Sequence, residues 1–544
     1  MHVTAVLVLD PAGAPVPYTF AAVRETVDRR LGRAPLFTRR LVEVPFGLAH
    51  PIWIDGGPVD LDYHVRRACL PEPGGRAELE ELVGRLAGRP LDRRRPLWEM
   101  TVVEGLEAGR VAVVAKVHHS AIDGVSAAEL AAAWLDTVAE PTEDPADSAP
   151  RKSGPAADSG VGTTGDGTRE GGMPEAGAPS AFGPHVGGAP SRAELIAGAL
   201  AELAATPFKA TLAANRIAKA VLGKAERARS DRDGGVQRPI SAPELTINRS
   251  IGPDRRVAFG SVPLEEIRAV GRHFGCTVND ALLAVCAGAM RSLLERTGEL
   301  PAEPLVAFVP ISVRAGDDRG SGANELSAML VPLATDLEDP AERIRAIASG
   351  TRRAKADAPL VSAELLADCA DVTFPGLVSL VARLVSSTRL FDKMRPVFNV
   401  TISNVPGPPF PLFLAGSRVI NMFPLGPISD GAALNITVVS YCAIVYFGFT
   451  GCRDSMPHVG ELPDLVRRSL DELLAISRSR RLPSSAEPDV EPDVEASSKI
   501  ARSTEKGERD GSSSGGVTRR RTRKPENAPG SRDRDVADLA AGAG

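Results

Sequence analysis

The sequence predicts an α/β protein with two mixed halves and a long connection that has no core of its own. Three observations predict this fold class. The chain has 544 residues, more than one ordinary hydrophobic core organises. Two regions alternate β-rich runs with helix-periodic runs, as α/β domains do. Residues 141–190 separate these regions and consist mostly of Pro, Gly, Ala, Ser, Thr and Asp.

The first half, residues 1–140, combines two strand patterns with two helix patterns. Val3–Leu9 and Val111–Val117 are rich in β-branched residues, which favours strands. Glu78–Leu86 and Ser126–Val138 have apolar residues at helical spacing. We therefore predict an N-terminal α/β domain.

The connection has two parts. Residues 141–190 have too few large apolar side chains to offset the entropy of ordering, so we predict a disordered linker. Residues 191–245 follow as a helical connection, with a helix to about Ala225. Its first residues, Ser191-x-x-Glu194, form a capping box, in which each residue bonds the backbone N–H of the other.

The second half, residues 246–481, alternates in the same way and predicts a C-terminal α/β domain. Its pattern gives a strand at Arg256–Val262, a helix at Thr277–Arg296, a strand at Leu305–Val313, a helical stretch at Ser362–Ser387 broken at Pro375-Gly376, and β-rich sequence from Val397 to Thr450. Gly431–Cys452 carries no charge and is long enough to span a bilayer. Its Ile, Val, Tyr, Phe and Thr residues favour a buried hairpin instead.

The tail, residues 482–544, has no aromatic residue, and we predict that it is disordered. It contains the basic run Arg519–Lys524, which we interpret as solvated, with contact to an anionic membrane as the alternative.

Charge and cysteine content exclude several classes of protein. The chain has 64 Lys and Arg against 69 Asp and Glu, so a dedicated nucleic-acid binder is not expected. Its six cysteines form no C-x-x-C pair, which argues against a disulfide framework or a zinc site. The first residues lack the basic start of a signal peptide, so we expect a cytoplasmic protein.

The passage Val111–Leu130 carries the chemistry. A predicted strand ends at Val117, and His118 and His119 follow it directly. Asp123-Gly124 then predicts a turn before a helix. The histidine pair therefore lies where a strand leads into a loop and a helix, the usual place for ligands in open α/β folds.

Three interpretations of the pair are open on the residues alone. One histidine is a general base, with Asp123 holding the loop or the ring in position. Alternatively, His119 and Asp123 are metal ligands, although the remaining histidines supply no third ligand at a suitable spacing. The third interpretation is a pair of structural histidines. A covalent route lacks support, because the one G-x-S-x-G match, Gly511–Gly515, lies in the tail without a preceding strand.

HHSAIDG (His118–Gly124) resembles the His-His-x-x-x-Asp-Gly motif of the chloramphenicol acetyltransferase-like, CoA-dependent acyltransferases. The rest of the chain is similar to one branch, the bacterial wax ester synthase/diacylglycerol acyltransferases, from Met1 to about Arg480 except for the linker. The supporting passages are DLDYHVRR (Asp60–Arg67), RPLDRRRPLWEM (Arg89–Met100), TVNDALLA (Thr277–Ala284), VPISVR (Val309–Arg314), SNVPGP (Ser403–Pro408) and LNITVVSY (Leu434–Tyr441). The chain departs from the family pattern at Gly322-Ala323-Asn324 and begins inside it at MHV.

The resemblance implies two similar domains with a tunnel between them and His119 at its centre. His119 would be the general base on the acceptor hydroxyl, Asp123 an orienting partner, and His118 a support of the loop. Acyl-CoA would be a substrate, so no cofactor and no metal are expected. The acceptor would be diacylglycerol, with long-chain alcohols as further acceptors. We expect peripheral association with membrane or lipid inclusions. The oligomeric state stays open.

Thioester attack creates an oxyanion that needs hydrogen-bond donors. Asn279, Ser403 and Asn404 are the candidates, and the resemblance points to the same passages. Each asparagine has a structural alternative. Thr277-x-x-Asp280 is itself a capping box, so Asn279 and Asp280 could simply start a helix, and Asn404 could belong to the proline-rich turn. Trp98 is expected in the core.

Two other functions stay open. One is a condensation-type acyltransferase that uses carrier-bound thioesters. The other is a catalytically weak lipid-inclusion-binding protein of the same fold.

Overall fold

The computed structural model describes residues 2–121, 132–140, 190–191, 193–199, 242–313, 325–357, 392 and 395–479. All of them lie in one compact unit that ends at Leu482. Asp123 and most of the predicted linker, the helix at Ser362–Ser387, the loop Gly322–Asn324 and the tail lie outside the described residues.

The first half forms mixed secondary structure as its pattern predicts. The strands β1 and β6 and the helix α3 are confirmed. The elements are β1 (His2–Asp10), α1 (Phe20–Arg30), β2 (Arg39–Val42), β3 (Ile52–Asp55), α2 (Leu61–His64), β4 (Val65–Cys69), α3 (Arg76–Gly88), β5 (Trp98–Glu104) and β6 (Val111–His118).

The second half repeats the mixture. The elements are β7 (Arg255–Pro263), α4 (Leu264–Phe274), α5 (Val278–Thr297), β8 (Val306–Val313), β9 (Glu325–Pro332), α6 (Pro340–Asp357), β10 (Val400–Val405), β11 (Phe413–Leu414), β12 (Ser417–Leu425), β13 (Leu434–Tyr441), β14 (Ile444–Cys452) and α7 (Leu462–Ser479). The structure confirms the predicted strands at Arg256–Val262 and Leu305–Val313 and the predicted helix at Thr277–Arg296. Each observed end lies within one residue of the predicted one.

Each half is built on one six-stranded sheet. The first sheet has the order β11-β12-β1-β6-β5-β4, and the second has the order β7-β14-β13-β10-β8-β9. The strands β2 and β3 form a separate two-stranded sheet. The two-domain α/β fold class predicted from the sequence is therefore confirmed.

The second half of the chain supplies a segment to the first sheet, which the local sequence pattern does not reveal. The sequence analysis places residues 413–425 in the second half, yet β12 pairs antiparallel with β1 from Thr4↔Leu425 to Asp10↔Arg418. Without β12, strand β1 would be an open sheet edge with unpaired backbone groups. The C-terminal domain predicted as residues 246–481 therefore supplies two strands, β11 and β12, to the N-terminal sheet.

The two halves share buried packing. Helix α3 lies against β7 so closely that a Cβ atom on Gly84 would stand 2.7 Å from the carbonyl oxygen of Arg255. The rings of Phe259 and Phe423 stack with their centroids 4.6 Å apart. Phe259 also donates its backbone N–H to Glu80 Oε1 at 2.8 Å. These contacts join the halves through a shared buried cluster that includes Val6, Leu79 and Phe259.

The helix α5 is the centre of the second half. The predicted capping box is present, because Asp280 N–H donates to Thr277 Oγ1 and Thr277 N–H donates to Asp280 Oδ2. Most of the helix is buried, and it ends at Gly298 in the left-handed conformation. Such burial on nearly all sides explains its apolar and alanine-rich sequence.

Two predicted helices can be compared with the described residues. Ser191 and Glu194 form the predicted capping box, and residues 193–199 are helical. The helix predicted for Ser126–Val138 ends earlier in the structure than the sequence analysis predicts. Residues 132–134 are helical, whereas Asp136 forms a backbone bridge with Phe413. That bridge requires an extended backbone and so ends the helix.

The charge-free segment Gly431–Cys452 forms the predicted buried hairpin of β13 and β14. Among the described residues, no single helix has the length and apolar character needed to cross a membrane. The pair α4 and α5 reaches that length and composition only when joined across a bend of 101°.

Candidate active site at the end of strand β6

The histidine motif lies at the end of a buried strand, as predicted. Strand β6 is buried from Val111 to Val117, and His118 is its last residue. His119 begins a short 3-10 turn, His119–Ala121, and its side chain is exposed. The sequence pattern causes this change, because residues 111–117 are apolar except for Lys116 and the polar residues His118, His119 and Ser120 follow.

His118 is held by the turn that follows it. Its Nδ1 lies 2.7 Å from Ser120 Oγ and accepts the backbone N–H of Ser120 at 3.3 Å. Since that N–H can only donate, Nδ1 is unprotonated and the proton of the neutral ring is on Nε2. Burial, followed by nearby positive charge that includes Arg93, lowers the pKa of His118. The ring therefore acts as a neutral support of the turn.

A third histidine, which the sequence analysis missed, stands beside the motif. His2 pairs with His118 across β1 and β6, and their rings meet edge to face with centroids 5.4 Å apart. Its Nε2 accepts the backbone N–H of Leu91 at 3.4 Å. Burial is the main cause that lowers the pKa of His2 to about 3. No sequence signal could reveal this neighbour, because it depends on the register between distant strands.

A buried lysine fixes β6 against helix α3. Lys116 Nζ donates to the carbonyl oxygens of Leu86 and Arg89, each at 3.1 Å, at the C-terminal end of α3. It also lies 3.3 Å from Glu99 Oε2. A cation at this helix end is stabilised by the unpaired carbonyl groups. Burial lowers the pKa of Lys116. The strand that carries the histidines is thus tied to the interface between the halves.

The two candidate asparagines meet in the second half. Asn404 Nδ2 donates to Asn279 Oδ1 at 3.4 Å, although 125 residues separate them. Asn404 is exposed in β10, so the alternative that places it in the proline-rich turn is wrong. Asn279 is half-buried at the second position of α5, and its neighbour Asp280 forms the cap. The amide of Asn279 is therefore not used for capping.

Ser403 precedes Asn404 in β10 and is half-buried. It pairs with Thr437 of the parallel strand β13. Asp280 is buried and accepts a hydrogen bond from Thr351 Oγ1 at 2.6 Å, which ties the start of α5 to α6. Asn279 is therefore held between Asn404 of β10, which bonds its side chain, and helix α6, which bonds its neighbour Asp280.

The structure joins some of the predicted residues and not others. His118 and His119 are adjacent in one turn, and Asn279 and Asn404 are hydrogen-bonded. Among the described hydrogen bonds, none joins His119 to either asparagine. Within the described ranges, no group of three His, Cys, Asp or Glu side chains is arranged to hold a metal ion.

Family models match both halves of the chain. The wax ester synthase/diacylglycerol acyltransferase catalytic domain matches residues 1–282. The WS/DGAT C-terminal domain matches residues 322–474. The first match contains His118, His119 and Asn279, and the second contains Ser403 and Asn404.

Individual relatives are similar over most of the chain. A probable diacylglycerol O-acyltransferase of Mycobacterium tuberculosis is 34% identical over 481 residues, which cover 87% of this chain and 94% of the relative. A second protein of that organism, whose name provisionally assigns it the same activity, is 37% identical over 487 residues, covering 87% and 95%.

A solved structure is similar as well. The wax ester synthase/diacylglycerol acyltransferase from Marinobacter aquaeolei VT8 superposes with a TM-score of 0.57 at 28% identity. The superposition covers 88% of this chain and 95% of that protein.

Proposed function

The chain belongs to the wax ester synthase/diacylglycerol acyltransferase family, and from that premise we propose that it moves a long-chain acyl group from acyl-CoA to the free hydroxyl of diacylglycerol. Long-chain alcohols would be further acceptors, giving wax esters. The observation that carries this proposal is the exposed imidazole of His119 at the end of a buried strand. That arrangement presents a base to a substrate while the strand fixes its position.

The reaction needs one base and no enzyme nucleophile. His119 takes the proton of the acceptor hydroxyl as the oxygen attacks the thioester carbonyl carbon. A carbon–oxygen bond forms, and the tetrahedral intermediate then breaks its carbon–sulfur bond. The proton on His119 passes to the departing CoA thiolate, which restores the neutral base. Holding both substrates beside one base replaces a covalent intermediate with proximity.

The oxyanion of the intermediate would be stabilised by the amide pair. The bond from Asn404 to Asn279 uses one N–H of Asn404 and the carbonyl oxygen of Asn279. The second N–H of Asn404 and both N–H groups of Asn279 can donate to another group. Asn279 lies in the first turn of the long helix α5, whose dipole also favours a negative charge, and Asn404 of β10 is bonded to it. Ser403 is a further donor in the same strand.

His118 and Asp123 would act through position. The neutral ring of His118 supports the turn from which His119 projects, through its contacts with Ser120. Asp123, which lies outside the described residues, would orient the loop or the His119 ring. Acyl-CoA enters this scheme as a substrate, and no step requires a cofactor.

An acceptor panel tests the proposal. The purified chain is given palmitoyl-CoA with diacylglycerol, hexadecanol or a small amine, and products are identified by mass spectrometry. We expect triacylglycerol with diacylglycerol and a smaller yield of wax ester with hexadecanol. Amide product alone, or transfer only from carrier-bound thioesters, would favour the condensation-type reaction. Lipid binding without any transfer would favour a catalytically weak lipid-binding protein.

A further inference from the structure

We propose that the hairpin of β2 and β3, with Phe46 at its tip, docks this chain onto a lipid surface that bears anionic headgroups. The proposal rests on the proposed function, because a diacylglycerol acceptor resides in such a surface. It adds the segment that makes the contact and the place of that contact relative to the histidine motif.

Phe46 is unusually placed for an aromatic residue. Its side chain is 87% exposed, and its backbone has φ 60° and ψ 8°, in the left-handed region. Non-glycine residues reach that region only occasionally, and bulky ones rarely. Neither burial nor backbone preference therefore favours phenylalanine here. An apolar partner outside the chain accounts for both its exposure and its type.

The tip rests on a supported base. Val44 and Ala49, on either side of Phe46, are buried in a small cluster with Leu195 and Ala199 of the helical stretch at residues 193–199. This cluster fixes the ends of the tip loop while Phe46 points into solvent. A wedge of this kind loses little entropy when it enters an apolar layer.

A second exposed aromatic lies on the same hairpin. Trp53 of β3 is 36% exposed and pairs with Leu41 of β2. Tryptophan is enriched at membrane interfaces, where its ring spans the polar and apolar layers. The hairpin belongs to neither six-stranded sheet, so these aromatics are not needed to complete either core.

Charge around the hairpin is complementary to anionic lipid, although the whole chain has a net charge of −5. Basic residues near a membrane surface each favour binding to anionic lipid modestly. Arg93 lies beside the hairpin because it forms an ion pair with Glu43, at 3.1 Å. The group contains four arginines, Arg39, Arg40, Arg93 and Arg94, against three carboxylates, Glu43, Asp55 and Asp92, so its net charge is +1.

The hairpin and the histidine motif border the same loop. Arg93, which pairs with Glu43 of the hairpin, lies in the loop between α3 and β5. Two residues earlier, Leu91 donates its backbone N–H to His2, the ring neighbour of His118. Docking through Phe46 would therefore bring the lipid surface next to the turn that carries His119.

The test compares vesicle binding by the full chain and by Phe46→Asn. Asparagine tolerates the left-handed backbone, so the variant removes the ring without disturbing the turn. The vesicles contain dioleoylglycerol in phosphatidylcholine, with or without phosphatidylglycerol. We expect Phe46→Asn to weaken binding about tenfold, since burial of a Phe ring is worth at least that factor. The matched control, Val397→Asn, removes another exposed apolar side chain, and we expect unchanged binding.

Turnover of a short-chain acyl-CoA with a water-soluble alcohol is measured on the same preparations. Equal turnover by Phe46→Asn and the unaltered chain, together with weaker vesicle binding, supports docking through the hairpin. Unchanged binding by Phe46→Asn overturns the proposal, and so does binding that does not increase with phosphatidylglycerol. If the unaltered chain turns over soluble substrates but binds no vesicle, the docking proposal fails alone. No turnover on any substrate rejects the proposed function instead.

Discussion

Two histidine-bearing regions of the first half are built in opposite ways. At the end of β6, His119 is exposed in a short polar turn. At the end of α2, His64 is only 1% exposed, and its Nδ1 lies 2.7 Å from the carbonyl oxygen of Trp98. The His64 ring also stacks on Trp98 at 4.6 Å. The comparison separates a histidine that packs the core from one whose ring is exposed to solvent.

The surroundings of His64 form a continuous aromatic core. Trp98 donates its indole N–H to the carbonyl oxygen of Phe37 at 3.0 Å, and Phe37 stacks on Trp134 at 4.6 Å. Trp98 is fully buried, which confirms its predicted place in the core. Here every large ring has a neighbour that fixes it, whereas the turn at His119 fixes only His118.

The largest effects should come from replacing each of these two histidines by alanine. His119→Ala is expected to lower kcat about 10²–10⁴-fold, because a general base is lost, while Tm stays unchanged. His64→Ala should do the reverse, lowering Tm because it leaves a cavity against Trp98. Initial rates of acyl transfer and thermal melts of both variants provide the measurement. A drop in Tm without loss of kcat in His119→Ala would break the comparison.

The next effect concerns the ion pair between Arg30 of α1 and Asp136, which follows Trp134 of the aromatic core by two residues. Arg30 is 2% exposed and donates to the carbonyl oxygen of Trp134 at 2.5 Å and to Asp136 Oδ1 at 2.6 Å. Arg30→Met should destabilise the fold by about 3–5 kcal/mol, since it leaves the carboxylate of Asp136 nearly buried and unpaired. Chemical denaturation measures the loss.

Helix α1 offers a matched control for that prediction. Arg24 pairs with Asp62 at 2.8 Å, but both side chains are exposed. Arg24→Met should therefore cost less than about 1 kcal/mol. Equal losses in Arg24→Met and Arg30→Met would show that burial does not strengthen the Arg30 contact.

A smaller effect is expected from the hydrogen-bonded amide pair of Asn279 and Asn404. Asn404→Ala should lower kcat about 10²-fold, the usual loss when one oxyanion donor is removed, with little change in KM for acyl-CoA. Asn404→Asp keeps the shape and places a negative charge there, so it should be at least as damaging. Steady-state kinetics on both variants decide the point. Unchanged kcat in Asn404→Ala would make its bond with Asn279 purely structural.

The smallest effect is the response of stability to pH. Burial lowers the pKa of His64, and it lowers that of His2 to about 3. Both stay neutral in the fold while the unfolded chain takes up protons below about pH 6.5, so stability is lost as pH falls through that value. Each loss of about 1 kcal/mol lowers Tm by about 1 °C in a folded unit of this size. Thermal melts from pH 7 to 5 should show the decrease, and His64→Gln should flatten it. A Tm that rises on acidification would contradict these directions.

Local pattern was sufficient for the elements whose structure depends on their own residues. The apolar runs of β1 and β6, the capping box of α5 and the hairpin Gly431–Cys452 were all predicted correctly. Chain periodicity and caps act over a few residues, so a sequence displays them directly.

Long-range pairing could not be predicted in this way. The insertion of β12 beside β1, the meeting of His2 with His118, and the bond from Asn404 to Asn279 each join residues far apart in the chain. The exposure of Phe46 depends in the same way on what the rest of the fold leaves uncovered. The candidate residues could thus be named from motifs, but their geometry required the fold.

The release of CoA by the unaltered chain and by His119→Ala, followed with and without diacylglycerol, tests most directly whether His119 drives a direct transfer. The account predicts that the unaltered chain releases CoA thiol only when the acceptor is present, in step with triacylglycerol formation. His119→Ala should release almost none in either case. A burst of one CoA for each chain without acceptor would show a covalent acyl-enzyme, and rapid release by His119→Ala would show that another group is the base. Either result would contradict the account.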